Sequence, residues 1–215
     1  MPRERKGLYG LGGLSFIVSG LMFFTRYVLD LVAGPPPSSG LGILAWARSG
    51  NLPLALASEA LFIAGMFLIP AVIALYVSLA GTDRTKAATG CGILAAAIPI
   101  LFALDIVHAR LVYPVFDLRI RDPDVAELVV GVFYGGLHAV GIMMGAATIV
   151  LSLAMRRGGY GRSIAYLGIV TGVFDVVGSY PWAIAPSLLL VSQALFAAWF
   201  LAVGSRLHWM SRRAC

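Results

Sequence analysis

The chain has 215 residues, of which 60% are hydrophobic and only 12% are charged, and its formal net charge is +6. Soluble globular domains usually carry about 25% charged residues, so a chain with a mean hydropathy of +0.90 is too apolar to be one. The positive charge does not indicate nucleic-acid binding, because the basic residues form short clusters between hydrophobic runs, as they do in membrane proteins. Composition therefore predicts an integral membrane protein whose main partner is the lipid bilayer, with no nucleic-acid partner.

Long hydrophobic runs follow one another along the whole chain. They predict six transmembrane helices over residues 8–32, 52–80, 87–112, 125–155, 163–180 and 183–205, because about 20 apolar residues cross the hydrocarbon layer as a helix. The first run follows a basic start but is too long for a signal peptide and lacks a cleavage site, so we expect it to be retained. The predicted fold class is all-α: a polytopic membrane protein with six transmembrane helices in one domain, residues 1–215.

Prolines interrupt the hydrophobic pattern between the predicted spans. A Pro-rich run at residues 35–40 ends the first span, and Pro181 separates the last two, because proline breaks a helix. Tyr180 and Trp182 on either side of Pro181 suit a membrane interface. Residues 41–48 form either a short helix in the interface or an ordered loop.

Basic residues divide unequally between the two ends of the predicted bundle. One end collects Arg3, Arg5, Lys6, Arg84, Lys86, Arg156, Arg157, Arg162, Arg206, Arg212 and Arg213, and the other collects Arg48, Arg110, Arg119 and Arg121. Cytoplasmic loops carry the excess of Lys and Arg. We therefore expect both termini to be cytoplasmic (N-in/C-in), and residues 113–124 to form the most polar external loop.

Ionisable residues inside the spans point to function, because a charge in the bilayer core costs about 2.5–3.5 kcal/mol. At a rise of about 1.5 Å per residue, Arg26, Glu59, Asp105 and Asp175 share a depth of roughly 10 Å below the external surface. His138 falls near the midplane. We predict an outward-facing polar cavity with these ligand-binding residues: Arg26, Glu59, Asp105, Tyr134, His138 and Asp175.

The acids of this set outnumber Arg26, the one cation inside the spans, and such an excess favours holding a proton or a cation. We expect Glu59, Asp105 and Asp175 to converge with Arg26 in one buried network. The alternative is a purely structural network, in which Arg26 and Asp30 neutralise each other across one helical turn. Glycine pairs at four-residue spacing (131/135, 141/145 and 168/172) predict close packing between helices.

Most cofactor and enzyme motifs are missing from the sequence. No lysine lies inside a span, and no HExxH, GxSxG or P-loop motif occurs, which removes the chemistry that those motifs support. The two cysteines have no spacing that indicates a disulfide or redox centre. We expect no cofactor. A metal alternative remains, in which Asp105, His108 and His138 bind zinc, and the zinc activates a water for hydrolysis.

Short segments spread along the chain carry a resemblance to a known group of proteins. They are Gly7-Leu8-Tyr9, Ala74-Leu75-Tyr76, the run Gly136-Leu137-His138-Ala139-Val140-Gly141, and the turn Arg157-Gly158-Gly159-Tyr160-Gly161-Arg162 leading to Leu167-Gly168. In these the chain resembles a family of uncharacterised bacterial six-helix integral membrane proteins, a domain-of-unknown-function family. The resemblance implies the six-helix fold and His138 as a recurring position, and it carries no activity.

Three functions fit the sequence. The first is an inner (plasma) membrane protein that binds a small polar or cationic ligand, or a proton, in a cavity open to the outside, with transport as the use of that site. The second is an intramembrane metal-dependent hydrolase. The third is an accessory subunit of a larger membrane complex, whose polar residues serve assembly. The expected protein partner is either a second copy of this chain, in a homo-oligomer, or such a larger complex.

Overall fold

A computed structural model describes residues 3–213. The secondary structure of this range is helical, with one isolated β-bridge between Val115 and Leu118 and no strand. The seven helices are α1 (Arg3–Ala33), α2 (Gly40–Ser49), α3 (Asn51–Leu79), α4 (Arg84–Ala109), α5 (Pro123–Met155), α6 (Arg162–Gly178) and α7 (Pro186–Arg213). The all-α expectation is confirmed for this part of the chain, and residues 41–48 belong to a helix rather than a loop.

Six of the helices form a closed ring in the order α1, α3, α4, α5, α6, α7, and each packs on the next. Successive helices of the ring are antiparallel, so all chain connections lie at two ends. We call the end that carries α2 and the α4–α5 connection the α2 end, and the other the opposite end. The ring places the predicted spans side by side and brings α7 back against α1.

Five helices in the described range are long and apolar enough to cross a membrane, namely α1, α3, α4, α5 and α7. The helix α6 has only 17 residues, which corresponds to about 26 Å, less than the hydrocarbon thickness of about 30 Å. It is shorter than the predicted span 163–180 because the turn before Pro181 begins at Ser179. Five of the six predicted spans are therefore confirmed as helices long and apolar enough to cross a membrane, and α6 is the one that is not.

The outward sides of these helices are apolar. On α3, Ile63, Met66 and Ile73 are all exposed, whereas Leu68 and Leu75 on the other side of the same helix are fully buried. A helix that is apolar on its exposed side as well as its buried side is typical of a membrane span. These are the helices of a multi-pass membrane protein in contact with lipid.

Glycines set the closest helix contacts. A Cβ atom at Gly145 would lie 2.8 Å from the carbonyl oxygen of Gly172, and one at Gly172 would lie 2.6 Å from the carbonyl oxygen of Gly145. Gly13 and Gly204 form the same reciprocal contact between α1 and α7, at 2.6 Å in both directions. Backbones this close leave no room for a side chain. The predicted pairs 141/145 and 168/172 are confirmed as packing positions, whereas the pair 131/135 is not, because a Cβ atom at either residue would meet nothing within 4 Å.

The short helix α2 closes the α2 end of the ring. Ser39 caps its first turn by accepting a hydrogen bond from the N–H of Gly42, and Trp46 Nε1 donates to the carbonyl oxygen of Ala33 at 2.9 Å. Glu127 of α5 accepts a hydrogen bond from the N–H of Gly40 at 2.6 Å. A carboxylate at this position satisfies an otherwise unpaired N–H and complements the helix dipole.

Candidate functional site

Arg26 of α1 lies at the centre of a polar cluster near the α2 end. Its Nη2 atom forms an ion pair with Asp30 Oδ2 at 2.9 Å, one turn further along α1. The guanidinium also lies over the ring of Phe133 on α5, with its Cζ atom 5.4 Å from the ring centroid. Both charged side chains are largely buried, at 16% and 22% exposure, so the ion pair and the aromatic face together replace much of the lost hydration.

His108 of α4 stacks on the same aromatic ring. The centroids of His108 and Phe133 are 3.9 Å apart and their planes differ by 17°. The imidazole is 2% exposed, and its Nε2 atom is buried without a hydrogen-bond partner. The ring of Phe133 therefore contacts both Arg26 and His108. The sequence did not indicate this role, because an apolar residue is expected at most positions of a span.

Asp105 lies on α4 one turn before His108 and is 5% exposed. Ser58 of α3 donates its hydroxyl hydrogen to Asp105 Oδ1 at 2.7 Å, and both residues are buried. Arg26 and Glu59 lie close enough to act on Asp105 electrostatically. Asp105 nevertheless forms no ion pair within residues 3–213, because the guanidinium of Arg26 pairs with Asp30.

Glu59 differs from its neighbours in being exposed, as is Met66 on the same side of α3. Its Oε1 atom accepts a hydrogen bond from the phenol of Tyr113 in the α4–α5 connection, at 3.1 Å. Burial raises the pKa of the Tyr113 phenol, and the hydrogen bond to Glu59 and the negative charges of Glu59 and Asp105 raise this pKa further. Tyr113 therefore remains a neutral donor to Glu59 at physiological pH.

Tyr134 belongs to the cluster through its position on α5, next to Phe133. Its side chain is half-buried and lies in electrostatic range of both Asp30 and Arg26. Of the predicted ligand-binding residues, the cluster thus contains Arg26, Asp105 and Tyr134, with Glu59 at its exposed edge.

Asp175 lies in a second group, between α6 and α7. The hydroxyl of Ser192 on α7 shares its one hydrogen between two acceptors, the carbonyl oxygen of Phe174 at 3.1 Å and Asp175 Oδ1 at 3.3 Å. Asp175 is 7% exposed, and its Oδ2 atom is buried without a partner. No basic side chain of the described residues forms an ion pair with it.

His138 lies near the end of α6, apart from His108. Its Nδ1 atom is 2.8 Å from the carbonyl oxygen of Ser179, and its ring packs against Tyr180 at 4.4 Å and Trp182 at 5.3 Å between centroids. Since a backbone carbonyl can only accept, His138 carries its proton on Nδ1 in this contact. The aromatic turn therefore fixes the orientation of the ring.

The expected single buried network is thus divided in the structure. Glu59 is exposed, and Asp175 contacts α7 instead of Arg26. The depths estimated from the sequence placed Arg26 and Asp105 at the same level, and the two residues do lie in one cluster. The sequence did not show which way each helix is rotated about its axis, and this rotation decides which side chains face one another. Among the side chains of residues 5–212, no three of His, Cys, Asp or Glu are grouped as metal ligands, and His138 lies apart from Asp105 and His108.

Sequence reasoning missed the serines. Ser58 and Ser192 each lie on a neighbouring helix and donate to a buried aspartate, Asp105 and Asp175 respectively. A signal was present for Ser58, because it directly precedes Glu59 and so shares the estimated depth of Asp105. Serine carries no charge and costs little inside a span, so its hydroxyl attracts little notice, although hydrogen bonds between spans are common in membrane bundles.

The fold and these groups define a multi-pass membrane protein with polar residues inside its helix ring. No family model, curated protein or solved structure matches the chain. What the polar residues do must therefore be argued from their own geometry.

Proposed function

We propose that this chain is a proton-binding inner-membrane protein, with Asp105 as the proton-binding group and proton-coupled transport as the use of the site. One observation carries the proposal: Asp105 is 5% exposed and accepts a hydrogen bond from Ser58, but no ion-pair partner among residues 3–213 contacts it. A buried carboxylate without a counter-charge costs several kcal/mol. Binding a proton or a cation removes that cost.

A proton fits this position better than the other ligands that the sequence favoured. A proton needs no space beside Asp105, whereas a larger cation would need several oxygen ligands around it. The nearest cation, Arg26, also disfavours a second positive ion in the same cluster. Asp175 repeats the arrangement of Asp105, a buried carboxyl group held by a serine of the next helix, and we assign it as a second proton-binding position.

The proposal includes six spans with both termini in the cytoplasm. The helices α5 and α7 run in the same direction with α6 antiparallel between them, and this arrangement supports a sixth crossing of the membrane by α6. The excess of basic residues at the opposite end supports its cytoplasmic location. Six spans also agree with the resemblance to the uncharacterised bacterial six-helix family, and membership of that family is part of the proposal.

The exposed edge of the cluster supports access from the α2 end. Glu59 is exposed there, and it accepts a hydrogen bond from Tyr113 of the α4–α5 connection, which lies at that end.

Infrared difference spectroscopy tests the proposal. We expect a protonated-carboxyl C=O band in the wild-type protein near neutral pH, and we expect Asp105→Asn to remove or reduce it. The control is Asp117→Asn, which changes an exposed loop aspartate and should leave the band unchanged. Proteoliposomes with an internal pH-sensitive dye then measure proton movement for the same three proteins.

Absence of any protonated carboxyl band in the wild-type protein would overturn the proposal. In that case the accessory-subunit function becomes the better one, and stable co-purification with other membrane proteins in mild detergent would support it. A band that is lost only in Asp175→Asn would transfer the proton-binding role from the first group to the second.

A further inference from the structure

A cavity of about 300 Å³ opens at the α2 end, away from the polar cluster around Arg26. It lies between the end of α2, the start of α3 and the α4–α5 connection. Its polar lining consists of four arginines and one amide: Arg48, Arg110, Arg119, Arg121 and Asn51. Leu44, Val112 and Ile120 contribute an apolar wall.

The positive charge of this cavity is uncompensated. No Asp or Glu lines it, and none of its four arginines takes part in an ion pair of the described chain. The Nε atom of Arg110 is buried and has no hydrogen-bond partner. Four guanidinium groups around so small a volume repel one another, and an unpaired buried N–H is costly.

The basic cavity at the opposite end differs in this respect. Its volume is about 460 Å³, and its lining includes Lys86, Arg156 and Arg157. There Lys86 is paired with Asp83, and Arg156 lies over the ring of Tyr166 at 5.5 Å. Two basic side chains at the opposite end, Lys86 and Arg156, thus have partners within the protein, whereas none of the four arginines of the α2-end cavity forms an ion pair with another described side chain.

We infer that the α2-end cavity binds a phosphate group. A guanidinium group binds two oxygens of one phosphate through two parallel N–H donors, and a phosphate group offers several acceptor oxygens to these donors, which a halide does not. The apolar wall formed by Leu44, Val112 and Ile120 suits a small organic part attached to the phosphate. The phosphate belongs either to a soluble phosphate monoester or to a lipid headgroup.

This site is independent of the proton-binding proposal. It involves neither Asp105 nor Asp175, and it would exist whether or not those residues bind protons. All four basic side chains that the sequence assigns to the external loops line this one cavity. External loops carry few Lys and Arg residues, so their concentration at a single place indicates a ligand rather than membrane orientation.

Thermal unfolding of the full chain in nanodiscs tests the inference. In nanodiscs of phosphatidylcholine, titration with inorganic phosphate and with glycerol 3-phosphate should raise the Tm, because a ligand that binds only the folded state stabilises it. We expect Arg110→Gln and Arg119→Gln to weaken the apparent affinity at least about tenfold, since each removes charge-assisted hydrogen bonds. Arg119 lies in an exposed loop, so its variant tests binding even where Arg110→Gln fails to fold.

The matched control is Arg84→Gln, which removes an exposed arginine at the opposite end and should leave the affinity unchanged. Potassium chloride at equal ionic strength should give no shift. Nanodiscs that contain phosphatidylglycerol distinguish the sources: a Tm increase from this lipid that Arg119→Gln abolishes identifies a headgroup phosphate, and a response to the soluble probes alone identifies a soluble ligand. Absence of any phosphate-dependent or lipid-dependent shift in the wild-type protein, or equal shifts in all variants, would overturn the inference.

Discussion

At the scale of single residues, the guanidinium of Arg26 has two partners of different kinds. Asp30 neutralises its charge at 2.9 Å, and Phe133 offers an aromatic face. The Arg26–Asp30 pair is neither fully exposed nor fully buried. An exposed ion pair contributes about 0–1 kcal/mol to stability, whereas breaking a fully buried pair costs about 3–5 kcal/mol. Arg26 therefore stabilises the bundle in addition to any effect on Asp105.

We expect Arg26→Ala to lower the free energy of unfolding by about 2 kcal/mol, because it leaves Asp30 in a buried position without a counter-charge. Asp175→Asn should cost less, since the amide keeps the shape of the side chain and the bond with Ser192. Reversible unfolding in mixed micelles measures both. The double variant Arg26→Ala/Asp30→Asn should recover part of the loss, and an equal loss in the double and single variants would contradict this account.

At the scale of helices, the contact between α5 and α6 depends on glycine, whereas a glycine about three turns earlier on α5 contacts no other helix. Gly145 and Gly172 have their backbones in direct contact, whereas Gly135, on the same helix as Gly145, has open space at its Cβ position. The same residue type thus has two different roles on one helix. Four-residue spacing alone could not distinguish the pair at 131/135 from the pair at 141/145.

Gly145→Ala should destabilise the protein by about 1–3 kcal/mol, because the added methyl group would lie 2.8 Å from the Gly172 oxygen and would force the helices apart. Gly135→Ala is the matched control. It should be neutral, or stabilising by up to about 1 kcal/mol, because alanine has the higher helix propensity. Thermal unfolding in detergent measures both variants, and similar losses in the two would show that close packing is not the cause.

Asp83 caps the first turn of α4, outside the membrane. Its Oδ1 atom accepts a hydrogen bond from the N–H of Lys86 at 3.1 Å, and its Oδ2 atom pairs with the Lys86 ammonium. The side-chain and backbone hydrogen bonds from Lys86 lower the pKa of Asp83 below its usual value. A lowered pKa in the folded state means that the ionised carboxylate stabilises the fold above its unfolded pKa of about 3.9, and that this stabilisation is lost as the pH falls through the lowered folded pKa.

Asp83→Asn keeps a good capping residue but removes the charge. We expect it to lower the Tm at about pH 7 and to make less difference at about pH 3, because the stabilisation from the charge decreases as the pH falls below the unfolded pKa of about 3.9. Asp117→Asn, at an exposed loop position, should shift the Tm equally at both pH values. A loss from Asp83→Asn that does not change between the two pH values would assign the effect to the cap geometry rather than to the charge.

At the scale of the whole molecule, α6 decides how many times the chain crosses the membrane. It is the shortest of the six ring helices, and it joins two helices that run in the same direction. Single cysteines placed at Leu118, Gly158 and Trp182 report on three connections of the ring. The variants need a background without Cys91 and Cys215.

For six spans with both termini in the cytoplasm, an impermeant thiol reagent applied to intact cells should label positions 118 and 182 but not 158. Labelling of all three after the cells are opened is the control for accessibility. Labelling of position 158 in intact cells would show that the protein has the reverse orientation in the membrane. Labelling on opposite sides for positions 118 and 182 would contradict the crossing by α6.

The sequence by itself determined the membrane class and the helices. Runs of apolar residues longer than 20 have one stable form in lipid, since only a helix satisfies its own backbone hydrogen bonds. Most helix bounds therefore follow from hydropathy, although α7 continues to Arg213, well beyond the predicted end at residue 205. Arg26, Asp105 and Tyr134 were found for a related reason: a polar group inside an apolar run is costly, so its presence is conspicuous.

Only the tertiary structure decided which polar residues meet. A one-dimensional sequence reports the depth of a residue in the membrane but not the direction that its helix face takes. Closure of the ring through α7 placed Asp175 with Ser192 and left Glu59 at the surface. Folding of the α4–α5 connection brought Arg48, Arg110, Arg119 and Arg121 to one cavity, because loops are positioned by the helices they join, and no periodic pattern in their sequence records that position.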